Sequence, residues 1–320
     1  MSMFRQFLIA SLGVFTLLLG VRPALADNPA SFPQIVASIK PIHSLIAGVM
    51  GARGSLFLLV PGRFSEHGYA LKPSDARRLR QANMVFWVGE EMETYLAKPL
   101  QSLPKETRLI TLSDAEGLTL LATREDSSFE PHSHGAQKEH DHGSELHSEH
   151  DLHVWLSPGN AVAMVNRIVA SLSEVDTAGA AYYAANGKKL KERLAALDQE
   201  LSASLRPLKG KSYITSHDAY QYFEHRYGMH AVGSLTLTPD QNLNAGRLKN
   251  IRTKIKELGA ICVFAEPQVK SNLIESIIAG TSAKTGVLDP IGGLIEPGPE
   301  LYFNLLRANT AALVRCLSPS

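Results

Sequence analysis

Residues 182–208 read YYAANGKKLKERLAALDQELSASLRPL and predict one long helix. Leucines recur in it at spacings of three and four residues and so form a single apolar stripe: Leu190, Leu194, Leu197, Leu201 and Leu205. A helix of about 28 residues spans roughly 40 Å, enough to run along two small domains. The stretch therefore predicts a stiff connector, with a helix confined to one domain as the alternative.

Short apolar or β-branched runs alternate with helical patterns on both sides of this helix. Before it come QIVASI (34–39), SLFLLVP (55–61), MVFWVG (84–89) and RLITLS (108–113). After it come SYITS (212–216), HAVGSL (230–235), ICVFAE (261–266) and GVLDP (286–290). Strands separated by helices predict an α/β fold with one parallel sheet in each half.

The N-terminus resembles a secretory signal. Arg5 precedes an apolar run from Phe7 to Val21, and the small-residue sequence ALA ends at Ala26, which predicts a signal peptide over 1–26. An uncleaved membrane anchor is the alternative, because the run is only slightly short for a span. Later stretches are too short or too polar to cross a bilayer, so the expectation is a soluble, exported chain.

Charge and cysteine content limit the function further. The net charge of +1 disfavours nucleic acid as a partner, because no basic surplus is available to neutralise phosphates. The two cysteines, Cys262 and Cys316, form one disulfide in an oxidising compartment or remain as two buried free thiols. The sequence GKS at 210–212 has Leu205 where a phosphate-binding loop requires its first glycine, so ATP hydrolysis is not expected of this chain.

Seven of the twelve histidines lie between residues 131 and 155, interspersed with acidic residues. The segment at about 124–152 contains almost no large apolar side chains and is predicted to be a mobile loop. Imidazoles and carboxylates at this density bind transition metals such as Zn²⁺ weakly and adaptably. The predicted auxiliary ligands are His132, His134, His140, His142, His147 and His150.

Three other histidines stand at strand or loop ends in ordered sequence: His67, His153 and His217. Ligands of open α/β sheets bind at the carboxyl ends of strands, so these three imidazoles are candidates for one metal site. Three neutral nitrogens and one oxygen suit tetrahedral Zn²⁺. The oxygen, or a carboxylate that orients an imidazole, is expected from Glu66, Glu266 or Asp289. By contrast His43, His225 and His230 are interpreted as ordinary hydrogen-bonded residues.

Several motifs, taken in order, resemble one known family: SEHGYALKPSDARRL (65–79), DLHVWLSP (151–158), TSHDAYQYFEHRYG (215–228), CVFAEPQ (262–268) and GVLDP (286–290). The chain is similar to the periplasmic zinc-binding proteins of bacterial ABC transporters, within the cluster that carries zinc, manganese or iron. The resemblance implies two (β/α)4 lobes joined by a rigid backbone helix, with the metal in the cleft between the lobes.

The same resemblance implies that His67, His153 and His217 are the metal ligands. Asp289 matches a carboxylate that manganese-type and some zinc-type relatives use, whereas other zinc-type relatives imply water or Glu66 as the fourth ligand. Gly68 stands where an acidic residue often follows the first ligand. The implied domains are an N-terminal lobe at 27–157, a helical segment at 158–208 that includes the connecting helix, and a C-terminal lobe at 209–320.

The leading interpretation is a monomeric, non-enzymatic protein that captures Zn²⁺ as cargo and delivers it to a membrane permease with a separate ATPase subunit. A manganese or iron carrier of the same cluster is the nearest alternative, although three imidazoles favour zinc over harder ions. A secreted zinc hydrolase is a third interpretation, weakened because HExxH does not occur in the sequence. A metal buffer or surface adhesin without a permease is the fourth.

Overall fold

Two four-stranded parallel sheets organise the chain in the computed structural model, which describes residues 32–62, 64–124, 149–236, 245–257, 259–267 and 271–319. The strand order is β2-β1-β3-β4 in the first sheet and β6-β5-β7-β8 in the second, so the two halves share one topology. The predicted α/β class with two parallel sheets is confirmed. The predicted signal peptide at 1–26 lies outside the described residues.

The first half alternates strands and helices in the predicted order. Its elements are β1 (Gln34–Ala37), α1 (Lys40–Met50), β2 (Ser55–Leu58), α2 (Pro73–Gln81), β3 (Met84–Trp87), α3 (Thr94–Gln101) and β4 (Arg108–Thr111). All four residues of β3 are buried, as expected for a parallel strand covered on both faces. Pro41 lies in the first turn of α1, where a proline removes no helical hydrogen bond.

The second half repeats this pattern after a helical segment. Its elements are β5 (Ser212–His217), α6 (Gln221–Tyr227), β6 (His230–Thr236), α7 (Ala245–Glu257), β7 (Cys262–Ala265), α8 (Ser271–Ile278), β8 (Lys284–Val287) and α9 (Leu301–Leu317). Gly228 ends α6 at a φ of 64°, in the left-handed region that favours glycine. The strand predicted at 286–290 begins earlier, because β8 pairs with β7 from Lys284 onward.

The helical segment consists of α4 (Pro158–Val175) and α5 (Ala180–Leu205), with short 3-10 turns before and after α5. The five predicted stripe leucines of α5 are all buried. They are buried because α5 packs against α1 of the first half, α4 of the helical segment and α9 of the second half. The 26-residue helix is therefore a connector built into the common core, as predicted for a stiff joint.

One hydrophobic core includes residues of both sheets, such as Phe86 of β3 and Phe264 of β7. A disulfide between Cys262 and Cys316 fastens α9 to β7, which confirms the pairing and excludes the two free thiols. Closure of a loop of 54 residues contributes roughly 4 kcal/mol to folding stability in the chain-entropy account. The second half is thus cross-linked, while the first half contains no cysteine.

Polar contacts also join the halves next to the predicted site. The Lys40 ammonium, buried at the start of α1, donates to the carbonyls of Gly292 and Gly293 at 3.0 Å each. The Trp155 indole donates to the carbonyl of Pro290 at 2.8 Å. These bonds hold the segment that follows β8 against the first half.

No helix among the described residues has the length and apolar character needed to cross a bilayer.

The division of the chain at 157/158 and 208/209 remains a prediction, because residues 32–320 form one unit by their contacts.

Candidate metal centre

Glu66 and His67 lie in the segment that follows β2. The amides of Leu59 and Val60 donate to the carbonyls of Ala37 and Ser38, which carries this segment beyond the ends of β2 and β1. The Ser65 hydroxyl then accepts from the His67 amide at 3.1 Å and fixes an irregular turn. Neighbouring side chains in a strand would point to opposite faces, but in this turn Glu66 and His67 both reach the same cluster.

His153 and His217 reach the cluster from the two halves. His153 directly precedes a 3-10 turn at Val154–Leu156, and His217 is the last residue of β5. Both residues are almost fully buried, at 5% and 1% exposure, whereas His67 is partly exposed. Solvent therefore reaches the cluster most easily from the side on which His67 lies.

The four side chains meet closely. One ligand atom from each of Glu66, His67, His153 and His217 lies within 4.8 Å of the others. The His153 Nε2 atom is 3.2 Å from the His67 Nε2 atom and 3.3 Å from the His217 Nε2 atom. A tetrahedral Zn²⁺ bound at 2.0–2.1 Å would separate its ligand nitrogens by roughly 3.3 Å, so this spacing suits zinc.

The Glu66 carboxylate is the strongest indication that the cluster binds a cation. It is fully buried, and neither of its oxygens has a hydrogen-bond partner. Its Oε1 atom lies 3.5 Å from the Nε2 atoms of His153 and His217. Burial would raise the pKa of Glu66, but the three histidines outweigh that effect and lower it to about 2. A buried carboxylate that stays ionised needs a positive partner. The protonated imidazole of His153 supplies one in the metal-free protein, and a bound metal ion would supply one in its place.

Carboxylates behind two of the histidines orient the imidazoles. Asp151 Oδ1 lies 2.7 Å from His153 Nδ1, and Glu266 Oε1 contacts His217 Nδ1. Each contact directs the Nε2 atom of that ring toward the cluster, which is the arrangement of carboxylate–histidine–zinc sites. The Ser216 hydroxyl donates to the same Glu266 oxygen at 2.6 Å and holds it in place.

The histidines differ in their protonation. Desolvation lowers the pKa of His67 to about 3. Burial also opposes the charge of His153, but Asp151 and Glu66 outweigh it and raise that pKa to about 10. Glu266 similarly outweighs burial and raises the pKa of His217. Metal binding at this cluster must therefore displace protons from the metal-free protein.

The structure places the remaining candidate residues outside the four-residue cluster. Asp289 Oδ1 accepts from the amides of Ile291 at 3.1 Å and Gly292 at 2.8 Å, so it holds its own loop. His225 on α6 and His230 at the start of β6 are both exposed. Burial lowers the pKa of His43 to about 4, which favours a neutral ring. Most of the auxiliary histidines lie outside the described residues, but His150 forms a bridge with Ala122.

Asp151 is the orienting residue that the sequence analysis missed. Its side chain also accepts from the backbone amide of His153 at 2.9 Å. An aspartate commonly bonds to the backbone two residues onward, so the spacing Asp-x-His was the available signal. The acidic composition of the preceding segment concealed it.

Comparison with known proteins adds evidence from the whole chain. The family model described as zinc-uptake complex component A, periplasmic (ZnuA), matches residues 35–316. The chain is 44% identical over 305 residues to the high-affinity zinc uptake system protein ZnuA of Brucella suis biovar 1 (strain 1330), covering 89% of this chain and 91% of that protein. It is 35% identical over 301 residues to the protein of the same name from Yersinia pestis, covering 92% and 94%.

Solved structures with a similar fold include the Mn-bound periplasmic metal binding protein from Candidatus Liberibacter asiaticus. That similarity has a TM-score of 0.71 at 21% identity and covers 89% of this chain and 99% of the other. The laminin binding protein (Lmb) of Streptococcus agalactiae gives a TM-score of 0.72 at 21% identity, covering 90% and 100%. At these identities the likeness concerns the fold alone.

Proposed function

This chain belongs to the family of periplasmic zinc-uptake complex components, and from that premise we propose that it captures Zn²⁺ and delivers it to an ABC importer. The observation that carries the proposal is the cluster itself. Four ligand atoms from both halves of the chain lie within 4.8 Å of one another, and three of the four residues are buried.

The donor set favours zinc over the harder ions. Three imidazole nitrogens and one carboxylate oxygen suit Zn²⁺, whereas Mn²⁺ prefers more oxygen ligands and a higher coordination number. Asp289 could supply a further oxygen, but its carboxylate accepts hydrogen bonds from its own loop. We therefore assign Glu66 as the fourth ligand, with Glu266 and Asp151 as the residues that orient His217 and His153.

Capture and release fit the site better than hydrolysis. A catalytic zinc site normally keeps one position open for water, but here four protein groups converge and fill a tetrahedral set. In this proposal the protein holds its metal as cargo and performs no reaction on a bound substrate. We propose that it acts in the periplasm as a monomer. Its proposed partners are a membrane permease and a separate ATPase subunit.

The His-rich segment receives a secondary role in this proposal. Its dense imidazoles and carboxylates would bind extra zinc weakly and raise the local concentration of the ion. The transported ion would be held by the four-residue cluster. Deletion of residues 130–148, which retains Glu149, Asp151 and His153, should lower the number of weakly bound zinc ions and leave one tight ion.

Competition between metals tests the assignment. The exported chain, first stripped with a chelator, is dialysed against equimolar Zn²⁺ and Mn²⁺ and analysed for bound metal after a second dialysis without metal. We expect about one tightly held zinc per chain and essentially no manganese. Retention of manganese in place of zinc would support the manganese carrier, and retention of neither would contradict a high-affinity site.

A further inference from the structure

A short antiparallel pair of segments precedes His153. Ala122 and His150 form an antiparallel bridge, the Thr123 amide donates to the Glu149 carbonyl at 3.2 Å, and the Asp151 amide donates to the Leu121 carbonyl at 2.9 Å. We call residues 121–124 and 149–153 the stem. The stem carries both His153 and the Asp151 carboxylate that orients it, so its position decides where that imidazole lies.

The stem is docked on the second half of the chain, at the start of α6. The Tyr222 hydroxyl accepts from the Leu121 amide at 3.1 Å and donates to the Asp151 carbonyl. The Gln221 amide group donates to the carbonyl of Ala122 at 3.1 Å. The segment that bears His153 is therefore held by residues that follow His217 closely in sequence.

Arg124 makes the ionic part of this contact. Its guanidinium donates to Asp218 Oδ1 at 2.8 Å and to Glu224 Oε2 at 2.7 Å. The side chains of Asp218 and Glu224 are only 10% and 5% exposed, so both bonds are shielded from water. A guanidinium has the planar fork of donors needed to bridge two carboxylates, which an ammonium group cannot reproduce fully.

The two carboxylates connect Arg124 to the strand that ends at His217. Asp218 is the next residue along the chain, and the Tyr213 hydroxyl of β5 donates to Glu224 Oε1 at 3.2 Å. Arg124 thus links the stem of His153 to both ends of β5.

We propose that Arg124 is a positioning residue that keeps His153 in register with His217 and thereby slows the release of bound zinc. This inference rests on the proposed function. The Nε2 atoms of the two histidines lie 3.3 Å apart although the residues are 64 positions apart in sequence. Small shifts between them would lengthen metal–nitrogen bonds, which are confined to about 2.0–2.1 Å.

Stopped-flow release of zinc into excess chelator tests the proposal on the full exported chain. Arg124→Met should release zinc roughly 10- to 100-fold faster than the wild type, the size expected when support of metal ligands is lost. Arg124→Lys, which keeps the charge but not the fork, should fall between them. The matched control is Arg226→Met: Arg226 on α6 pairs with Asp198, is 51% exposed and lies outside the stem. Its release rate should stay within about twofold of the wild type.

A spectroscopic reading separates positioning from general stability. Co²⁺ bound in place of zinc should show an altered visible spectrum in Arg124→Met, because the spectrum depends on the arrangement of the ligands. Thermal unfolding of the metal-free variants accompanies each measurement. If Arg124→Met does not fold, Arg124→Lys decides: faster release with an altered spectrum supports the proposal, and wild-type release with an unaltered spectrum overturns it.

A double variant addresses the cost of leaving carboxylates unpaired. Arg124→Met with Glu224→Gln removes one buried negative charge together with the arginine. Persistent fast release in this double variant supports positioning, whereas recovery of the wild-type rate would assign the effect to charge burial and overturn it. Wild-type release by Arg124→Met also overturns it. Failure of the wild-type protein itself to retain zinc would instead contradict the proposed function.

Discussion

Glu93 and Glu266 follow equivalent strands of the two sheets, β3 and β7, and both are buried. Glu93 turns back on its own loop, where its Oε2 atom accepts from the amides of Val88 at 2.6 Å and Gly89 at 3.2 Å. Glu266 reaches the neighbouring strand and contacts His217. The same topology therefore places a carboxylate in each half, but only the carboxylate beside the strand that ends in histidine reaches the proposed metal centre.

Glu93 and Glu266 differ because different residues stand at the end of the neighbouring strand. β5 ends at His217, whereas β1 is followed by the buried Ser38, whose side chain is a neutral hydroxyl beside Glu93. Without a cationic or metal-binding neighbour, burial raises the pKa of Glu93 to about 7. A carboxylate behind a strand is thus a structural group in one half and an orienting group in the other.

The largest expected effect comes from removing the ligand that Glu266 orients. His217→Ala should weaken zinc binding by at least roughly 100-fold, because site free energies of about 10–16 kcal/mol are shared among four ligands. Competitive titration against a zinc chelator measures the change. The control His225→Ala removes an exposed histidine of α6 and should leave the tight site unchanged. Equal losses in both variants would refute the ligand assignment.

A smaller effect should distinguish the two carboxylates directly. Glu266→Gln should weaken zinc binding by roughly 10- to 100-fold, because the neutral amide stabilises the oriented imidazole less. The equivalent change Glu93→Gln lies outside the cluster and should alter affinity by less than about threefold. The same titration compares the two variants, and a loss of similar size at Glu93 would show that the halves do not differ as described.

The raised pKa of Glu93 makes the folding stability depend on pH. The folded pKa of Glu93, about 7, lies above the value of about 4.3 for a free glutamate. Protonated Glu93 therefore stabilises the folded state fully below about pH 4, and this contribution is lost as the pH rises through about 7. Glu93→Gln mimics the protonated form, so its stability relative to the wild type should rise by about 2–3 kcal/mol between pH 5 and pH 8.

Urea unfolding of the metal-free proteins at both pH values measures this shift. The histidines of the cluster titrate in both proteins, so their contributions largely cancel in the difference between variant and wild type. A stability difference that is the same at pH 5 and pH 8 would mean that Glu93 is ionised throughout.

Sequence patterns were sufficient for the architecture because they report local periodicity. The leucine spacing of α5 and the alternation of strands and helices gave the correct class, since burial of one helix face or both sheet faces leaves a regular trace. Loop conformation leaves no such trace. The sequence suggested that Glu66, Glu266 and Asp289 stand near a metal, but spacing alone could not show which carboxylate points inward.

The outcome for these three carboxylates depends on contacts between distant segments. The Asp289 carboxylate accepts hydrogen bonds from amides of its own loop. The Lys40 ammonium of the first half donates to a carbonyl of the same loop. Asp151 and Arg124 were not predicted, because their partners lie across the chain or in an irregular turn. Such pairings are decided by tertiary packing.

Anomalous diffraction at the zinc edge, on crystals of the zinc-loaded chain, would locate the tightly bound ion. We predict one strong peak about 2.0–2.1 Å from the Nε2 atoms of His67, His153 and His217, and at a similar distance from a Glu66 oxygen. A tightly bound ion that is coordinated by Asp289 in place of Glu66, or that lies away from these three histidines, would contradict it.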